Sequence, residues 1–342
     1  MMRPALSMEF NCDREVTLAE YAVRCYRLTR EKVMTARTVN SIALLVLTAG
    51  LFACSSAPVS DPPADSVESR PPQNMVATTD DLGMVTDMAL QLADSHGNER
   101  VLVVFDIDNT LLAMEQDLGS DQWYYWQKDL QMEDPCSAML VDNRFAAQGA
   151  LFFAGAMRPT QADGPEQVRR LQDAGVKVIA VTSRGPEYRL QTFRELRRNG
   201  ISFWSSALPP QHGYPDNFIP EGGSRPARYE DGVFLTAGQH KGEMLKALLD
   251  KTGTPWPGAV VIADDKAYSL HDMMETFEGS NTAVIAWRYS REDANVAAFD
   301  PEVAAAQWNA AQPALLEIQE VFGPGNFNLS GSDVSDECSV QQ

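Results

Sequence analysis

Short apolar runs, each ending at a polar residue, set the frame of this chain. Val101 to Phe105 leads into Asp106, Val178 to Val181 into Thr182, and Ala259 to Ala263 into Asp264, with a further run from Thr282 to Trp287. Runs this short and this uniformly apolar predict strands covered on both faces, as in the interior of a parallel sheet. Between them the spacing turns helical. Helices are expected from Leu82 to Ala93 behind Asp80-Asp81, from Ser120 as a cap, and from Asp163 to Ala174, ended by Gly175. Others are expected from Pro186 to Arg198, stopped by Asn199-Gly200, from Lys241 through Leu249, and from Pro301 to Phe322. Gly232 to Thr236 reads as a strand or hairpin arm that delivers Lys241. Strands alternating with helices predict an α/β fold with a doubly wound, mainly parallel sheet. No internal repeat is visible.

The first run carries the chemistry. It ends in Asp106-Ile107-Asp108-Asn109-Thr110-Leu111, two carboxylates one residue apart. Open α/β sheets bind ligands beyond the carboxyl ends of their strands, which puts Asp106 at the mouth of a site. Two adjacent acids repel unless a cation or a shared proton offsets the charge. Taken alone, such a pair also fits a turn or a helix cap.

The hexad resembles the first motif of the haloacid dehalogenase superfamily, Asp-x-Asp-x-Thr at the end of the first strand. Three later landmarks fall in the same order: Thr182 after the second strand, Lys241 opening a helix, and Asp264-Asp265 after the third apolar strand. The resemblance spans about Asn98 to Trp287, and the ordered set is more specific than any one piece. It implies a Rossmann-like catalytic domain over 82–322 with a small helical cap inserted at about 112–162.

The resemblance also implies roles. Asp106 is the nucleophile that becomes an aspartyl phosphate, and Asp108 is the acid and then the base. Thr182 and Ser183 bind phosphoryl oxygens, and Lys241 neutralises them. Magnesium is held by the Asp106 carboxylate, the Asp108 backbone carbonyl and the Asp264-Asp265 pair, with Asp265 favoured as the direct ligand. Asp108 favours phosphatase over dehalogenase, because a halide leaves without a proton. Phosphomutase, another phosphoryl transferase and a silent ligand-binding protein stay open. The substrate is expected to be a small phosphate ester, with Gln122, Trp123, Tyr124 and Arg184 as candidate contacts and Trp126 as packing. His96, His212, His240 and His271 show no ligand spacing, so a histidine-rich zinc site is not expected.

The N-terminal pattern addresses location. Met34 to Ser41 is a short basic start, Ile42 to Ala53 an apolar run, and Leu51-Phe52-Ala53-Cys54 resembles a bacterial lipobox with Cys54 as the lipidated residue. Residues 34–53 are thus read as a lipoprotein signal peptide, and 1–33, with five acidic residues, as a mis-called start. Residues 54–81 are read as a flexible tether and 323–342 as a frayed tail. Ser55 after the cysteine points, by resemblance to Gram-negative sorting, to the outer membrane, with the domain on the periplasmic side. The formal charge is −19, and near −21 without residues 1–53, which argues against nucleic acid or an anionic membrane surface as partner. The only membrane contact expected is the lipid anchor. Cys136 and Cys338 are then the two cysteines left that can pair.

Overall fold

In a computed structural model that describes residues 74–329, the apolar runs are neighbouring strands of one sheet. The chain proceeds β1 (Met75–Thr79), α1 (Leu82–His96), β2 (Val101–Phe105), β3 (Leu112–Met114), α2 (Asp121–Glu133), α3 (Arg144–Ala154) and β4 (Met157–Pro159). It continues α4 (Gly164–Asp173), β5 (Lys177–Thr182), α5 (Arg189–Arg198), β6 (Arg228–Glu230), β7 (Val233–Leu235) and α6 (Lys241–Thr252). Last come β8 (Ala259–Asp264), α7 (Ala267–Thr276), β9 (Ala283–Tyr289), α8 (Asp293–Ala297) and α9 (Pro301–Phe322).

The seven-stranded sheet has the order β1-β9-β8-β2-β5-β7-β6, and every neighbour pair is parallel except β6 with β7. This is a mixed, mostly parallel α/β sheet of Rossmann-like type. Every residue of β2 is buried, and alternate side chains serve opposite faces. Val101, Val103 and Phe105 pack with Leu82, Val85 and Ala89 of α1 and Val168 and Leu171 of α4. Leu102 and Val104 pack with Met244, Leu245 and Leu248 of α6 and Leu270 and Met273 of α7. Helices on both faces explain why the run is continuously apolar rather than alternating.

After β2 the chain places β5 on one side and β8 on the other. A parallel sheet leaves a crevice where successive connections diverge in this way. The backbone N–H of Asp106 still donates to Ala263 O at 3.0 Å, so the ladder carries the first acid to the rim of that crevice.

The segment between β2 and α4 forms a two-stranded antiparallel ribbon, β3 with β4, and the helices α2 and α3. Ser120 caps α2, accepting from Trp123 N at 3.2 Å, as the sequence predicts. These helices share an apolar cluster with the C-terminal helix, in which Leu118, Trp123, Ala147 and Leu151 meet Ala304, Trp308 and Leu315.

Several boundaries differ from expectation. Residues 75–79, read as tether, form β1, which pairs in parallel with β9; their exposure alternates, as suits an edge strand. The Pro186 segment starts as a tight turn (Pro186–Tyr188) before α5 proper. At the C-terminus, Phe327 is buried against Phe153 and Leu329 N donates to Gln319 Oε1 at 2.6 Å, so the frayed tail does not begin at 323. Cys136 is disulfide-bonded. The signal, Cys54 and Cys338 lie outside the described residues.

Candidate active site

Four separate strand ends and loops bring the motif residues together. Lys241 Nζ donates to Asp106 Oδ1 at 2.7 Å and to Asp264 Oδ2 at 2.6 Å, joining the ends of β2 and β8 through the first residue of α6. Its delivery is built in detail. Beyond β7, Thr236 donates through both N and Oγ1 to Thr182 O, at 3.0 and 2.8 Å, and the turn then passes through Ala237 and Gly238 at positive φ. Gln239 locks the loop with its whole amide, accepting from Ser224 N and Arg225 N and donating to Thr236 O and Arg225 O. His240 caps α6, its Nδ1 accepting from Glu243 N at 3.2 Å while Nε2 faces Asp272 Oδ1 at 3.3 Å. A Cβ on Gly242 would stand 2.3 Å from Asp272 O, so only glycine lets α6 approach α7 this closely.

The first motif is held equally firmly. Asn109 takes φ +55°, a conformation asparagine tolerates better than most residues, and turns the chain back after Asp108. Thr110 Oγ1 accepts from Asp265 N at 3.0 Å, tying the two acidic loops. Asp264 is fully buried, with Oδ2 on Lys241 and Oδ1 on Lys266 N at 2.8 Å. Carboxylate oxygens of Asp106, Asp264 and Asp265 lie within 4.8 Å of one another.

Two further charges complete the network. Arg184 forks onto Asp108, Nε to Oδ2 at 2.8 Å and Nη2 to Oδ1 at 2.7 Å, and its Nη1 donates to Thr192 Oγ1 at 3.0 Å. Lys266 reaches Asp121 Oδ2 at 2.8 Å and Asp265 Oδ2 at 3.1 Å, joining α2 to the loop after β8.

Electrostatically the centre is short of positive charge. Asp106, Asp108, Asp121, Asp264 and Asp265 face Lys241, Lys266 and Arg184, five acids against three cations in direct contact. Burial drives Asp106 well above the usual carboxylate range; Lys241 pulls it back, and the neighbouring acids push it up again. Burial, reinforced by Asp121, pushes Asp265 up to about 7. Burial alone would lower Lys241, but Asp106 and Asp264 outweigh it and keep the ammonium charged. A buried cluster with this excess takes up either protons or a cation. Its all-oxygen donors suit a hard divalent cation, and the deficit of two charges matches one such ion.

Above these groups lies a cavity of about 950 Å³ whose wall includes Asp108, Asp121, Lys241, Ser183 and Arg184. Of the candidate contacts, Tyr124 and Arg184 face it. Trp123 does not, since it is wholly buried in the cluster shared with α9, and Gln122 is absent from the wall. Trp126 packs against Phe299, as expected of a packing residue. Thr182 is buried at the end of β5, its Oγ1 accepting from Arg184 N at 3.2 Å. Sequence reading missed Asp121, Lys266, and Tyr125 with Tyr268, whose hydroxyls meet at 2.7 Å. No spacing rule joins positions so far apart in the chain.

The profile of a family described as "Protein of unknown function (DUF2608)" matches residues 83–321, well over half of the chain. The chain belongs to that family. The matched span runs from α1 to the end of α9 and contains every residue of the centre described above. No curated protein matches the chain.

Proposed function

We propose that this protein is a magnesium-dependent phosphomonoesterase of haloacid dehalogenase type, working through an aspartyl phosphate in the bacterial envelope. The observation that carries this reading is Lys241 bridging Asp106 and Asp264 at 2.7 and 2.6 Å, where the sheet connections diverge. A phosphate ester is an anion that repels nucleophiles, so catalysis rests on positive charge and alignment.

In this reading an Asp106 oxygen bonds to phosphorus as the bond from phosphorus to the alcohol oxygen breaks, and Asp108 gives that oxygen its proton. Asp108 then takes a proton from the water that attacks the same phosphorus, freeing Asp106 and inorganic phosphate. Lys241 and the Ser183 segment hold the phosphoryl oxygens, with Thr182 ordering the turn beneath. Asp106, Asp264 and Asp265 would hold the cation, with the Asp108 carbonyl as the further ligand that the resemblance implies. A bound magnesium ion supplies charge stabilisation for the phosphoryl oxygens. Both oxygens of Asp264 are occupied by Lys241 and Lys266 N, which favours Asp265 as the direct ligand.

Helices α2 and α3 with the β3–β4 ribbon act as the cap that excludes water and selects the ester, since Tyr124, Phe145 and Gln148 line the cavity from that side. The disulfide at Cys136 supports an oxidising compartment, in keeping with an exported lipoprotein anchored at Cys54.

Hydrolysis of p-nitrophenyl phosphate with magnesium tests the reading. Wild type is expected to turn over and Asp106→Asn to lose on the order of a thousandfold or more. Equal rates would remove Asp106 as nucleophile.

A further inference from the structure

We propose that the ester cleaved here carries an aromatic ring system on its alcohol side, as a nucleoside monophosphate does. The phosphate half of this statement rests on the phosphomonoesterase reading. The ring half rests on the cavity wall.

Six aromatic side chains, Tyr124, Tyr125, Phe145, Phe152, Tyr188 and Tyr268, line the same cavity as Asp108 and Lys241. Phe152 and Tyr188 are buried and pack edge to face, 5.3 Å between centroids, so their presence alone would be ordinary packing. Phe145 and Tyr268 are different, with 47% and 50% of their surface exposed on a concave wall. Phe145 is held in place. The Tyr188 hydroxyl donates to Phe145 O at 3.0 Å, and the Arg144 guanidinium stands 5.0 Å from the Tyr124 ring centre and 5.3 Å from that of Phe145. An exposed ring held in place inside a cavity is a stacking platform, and a planar ligand gains more from it than a sugar or glycerol chain does.

The volume of about 950 Å³ exceeds what a triose or glycerol phosphate fills and accommodates a nucleotide-sized molecule.

Two esters of the same ribose 5-hydroxyl test the ring site: adenosine 5-monophosphate, and ribose 5-phosphate, which lacks the ring. The full chain with magnesium is expected to show kcat/KM roughly tenfold or more higher for the adenosine ester than for ribose 5-phosphate. Phe145→Ala should narrow that ratio. Equal kcat/KM for the two esters would overturn the ring site. Calorimetric titration of wild type with adenosine and with ribose reads the ring site without turnover. Hydrolysis of both esters alike would sink this inference and leave the hydrolase reading standing. Hydrolysis of neither, with adenosine bound and ribose not, would do the reverse.

Discussion

Arg184 grips Asp108 through two parallel hydrogen bonds, 2.8 and 2.7 Å long, while its own side chain is only 4% exposed. The Phe152 ring lies 4.2 Å from the guanidinium and Thr192 takes its third nitrogen, so the fork has one orientation and passes it to Asp108. Arg184→Ala removes one partner of a buried pair, which costs about 3 kcal/mol. In the proposed reaction Asp108 protonates the leaving alcohol. The variant is therefore expected to lose more kcat on an alkyl phosphate than on p-nitrophenyl phosphate, whose leaving group departs without a proton. Parallel assays of the two esters read the difference, and equal losses would count against a positioning role.

Lys241 neutralises two buried acids from different strands. Lys241→Met leaves Asp106 and Asp264 facing each other without a cation, and a loss of about 3–5 kcal/mol follows from the buried charge left unpaired. Urea unfolding at neutral pH measures it. A loss below about 1 kcal/mol would mean that the acids find other partners.

Stability should depend on pH in a definite direction. The folded chain holds a proton on Asp265 up to about pH 7, whereas the unfolded carboxyl releases it near 3.8. The folded state therefore binds more protons between those values, and stability present below about 3.8 is lost as the pH rises through about 7. Thermal unfolding in a chelator is expected to show a falling Tm from pH 5 to pH 8. Magnesium should restore Tm at pH 8 and do little at pH 5, because at low pH the proton already occupies the carboxylate. A Tm that rises with pH in chelator would contradict the charge accounting.

Asp121 ties the inserted helices to the centre. Its carboxylate, raised above its usual pKa by burial and pulled back by Lys266, is the anion that α2 sends into the cavity wall. Asp121→Ala is expected to loosen α2, seen as faster amide exchange over 121–133 with α6 and β2 unchanged. Uniform exchange across the chain would point to a global effect instead.

The sheet was legible because its signal is local: Val101 to Phe105 needs only its own composition to be read as a strand buried on both faces. Motif order sufficed to bring together Asp106, Asp108, Lys241 and the Asp264-Asp265 pair, whereas Thr182, expected to bind phosphoryl oxygens, is buried beneath the turn and absent from the cavity wall. What escaped depends on pairing across the chain. Tyr125 and Tyr268 meet from 143 residues apart, and Asp121 meets Lys266 by the same docking of α2. Helix α3 escaped for another reason. Its sequence, Arg144 to Ala154, is apolar around much of its circumference because it packs against α2 and α9 as well as facing the cavity, and this blurs the one-sided stripe. Trp123 was misread as a contact because a first-turn tryptophan gives no sign of which side α9 will cover.

Trapping the covalent intermediate tests the central claim most directly. Borohydride reduces an acyl phosphate at its carbonyl, expelling phosphate and leaving homoserine in place of the aspartate. Peptide mass analysis after treatment during turnover with magnesium should find homoserine at residue 106 in wild type and no such change in Asp106→Asn. Turnover without a change at Asp106, or with homoserine at another aspartate, would contradict the account.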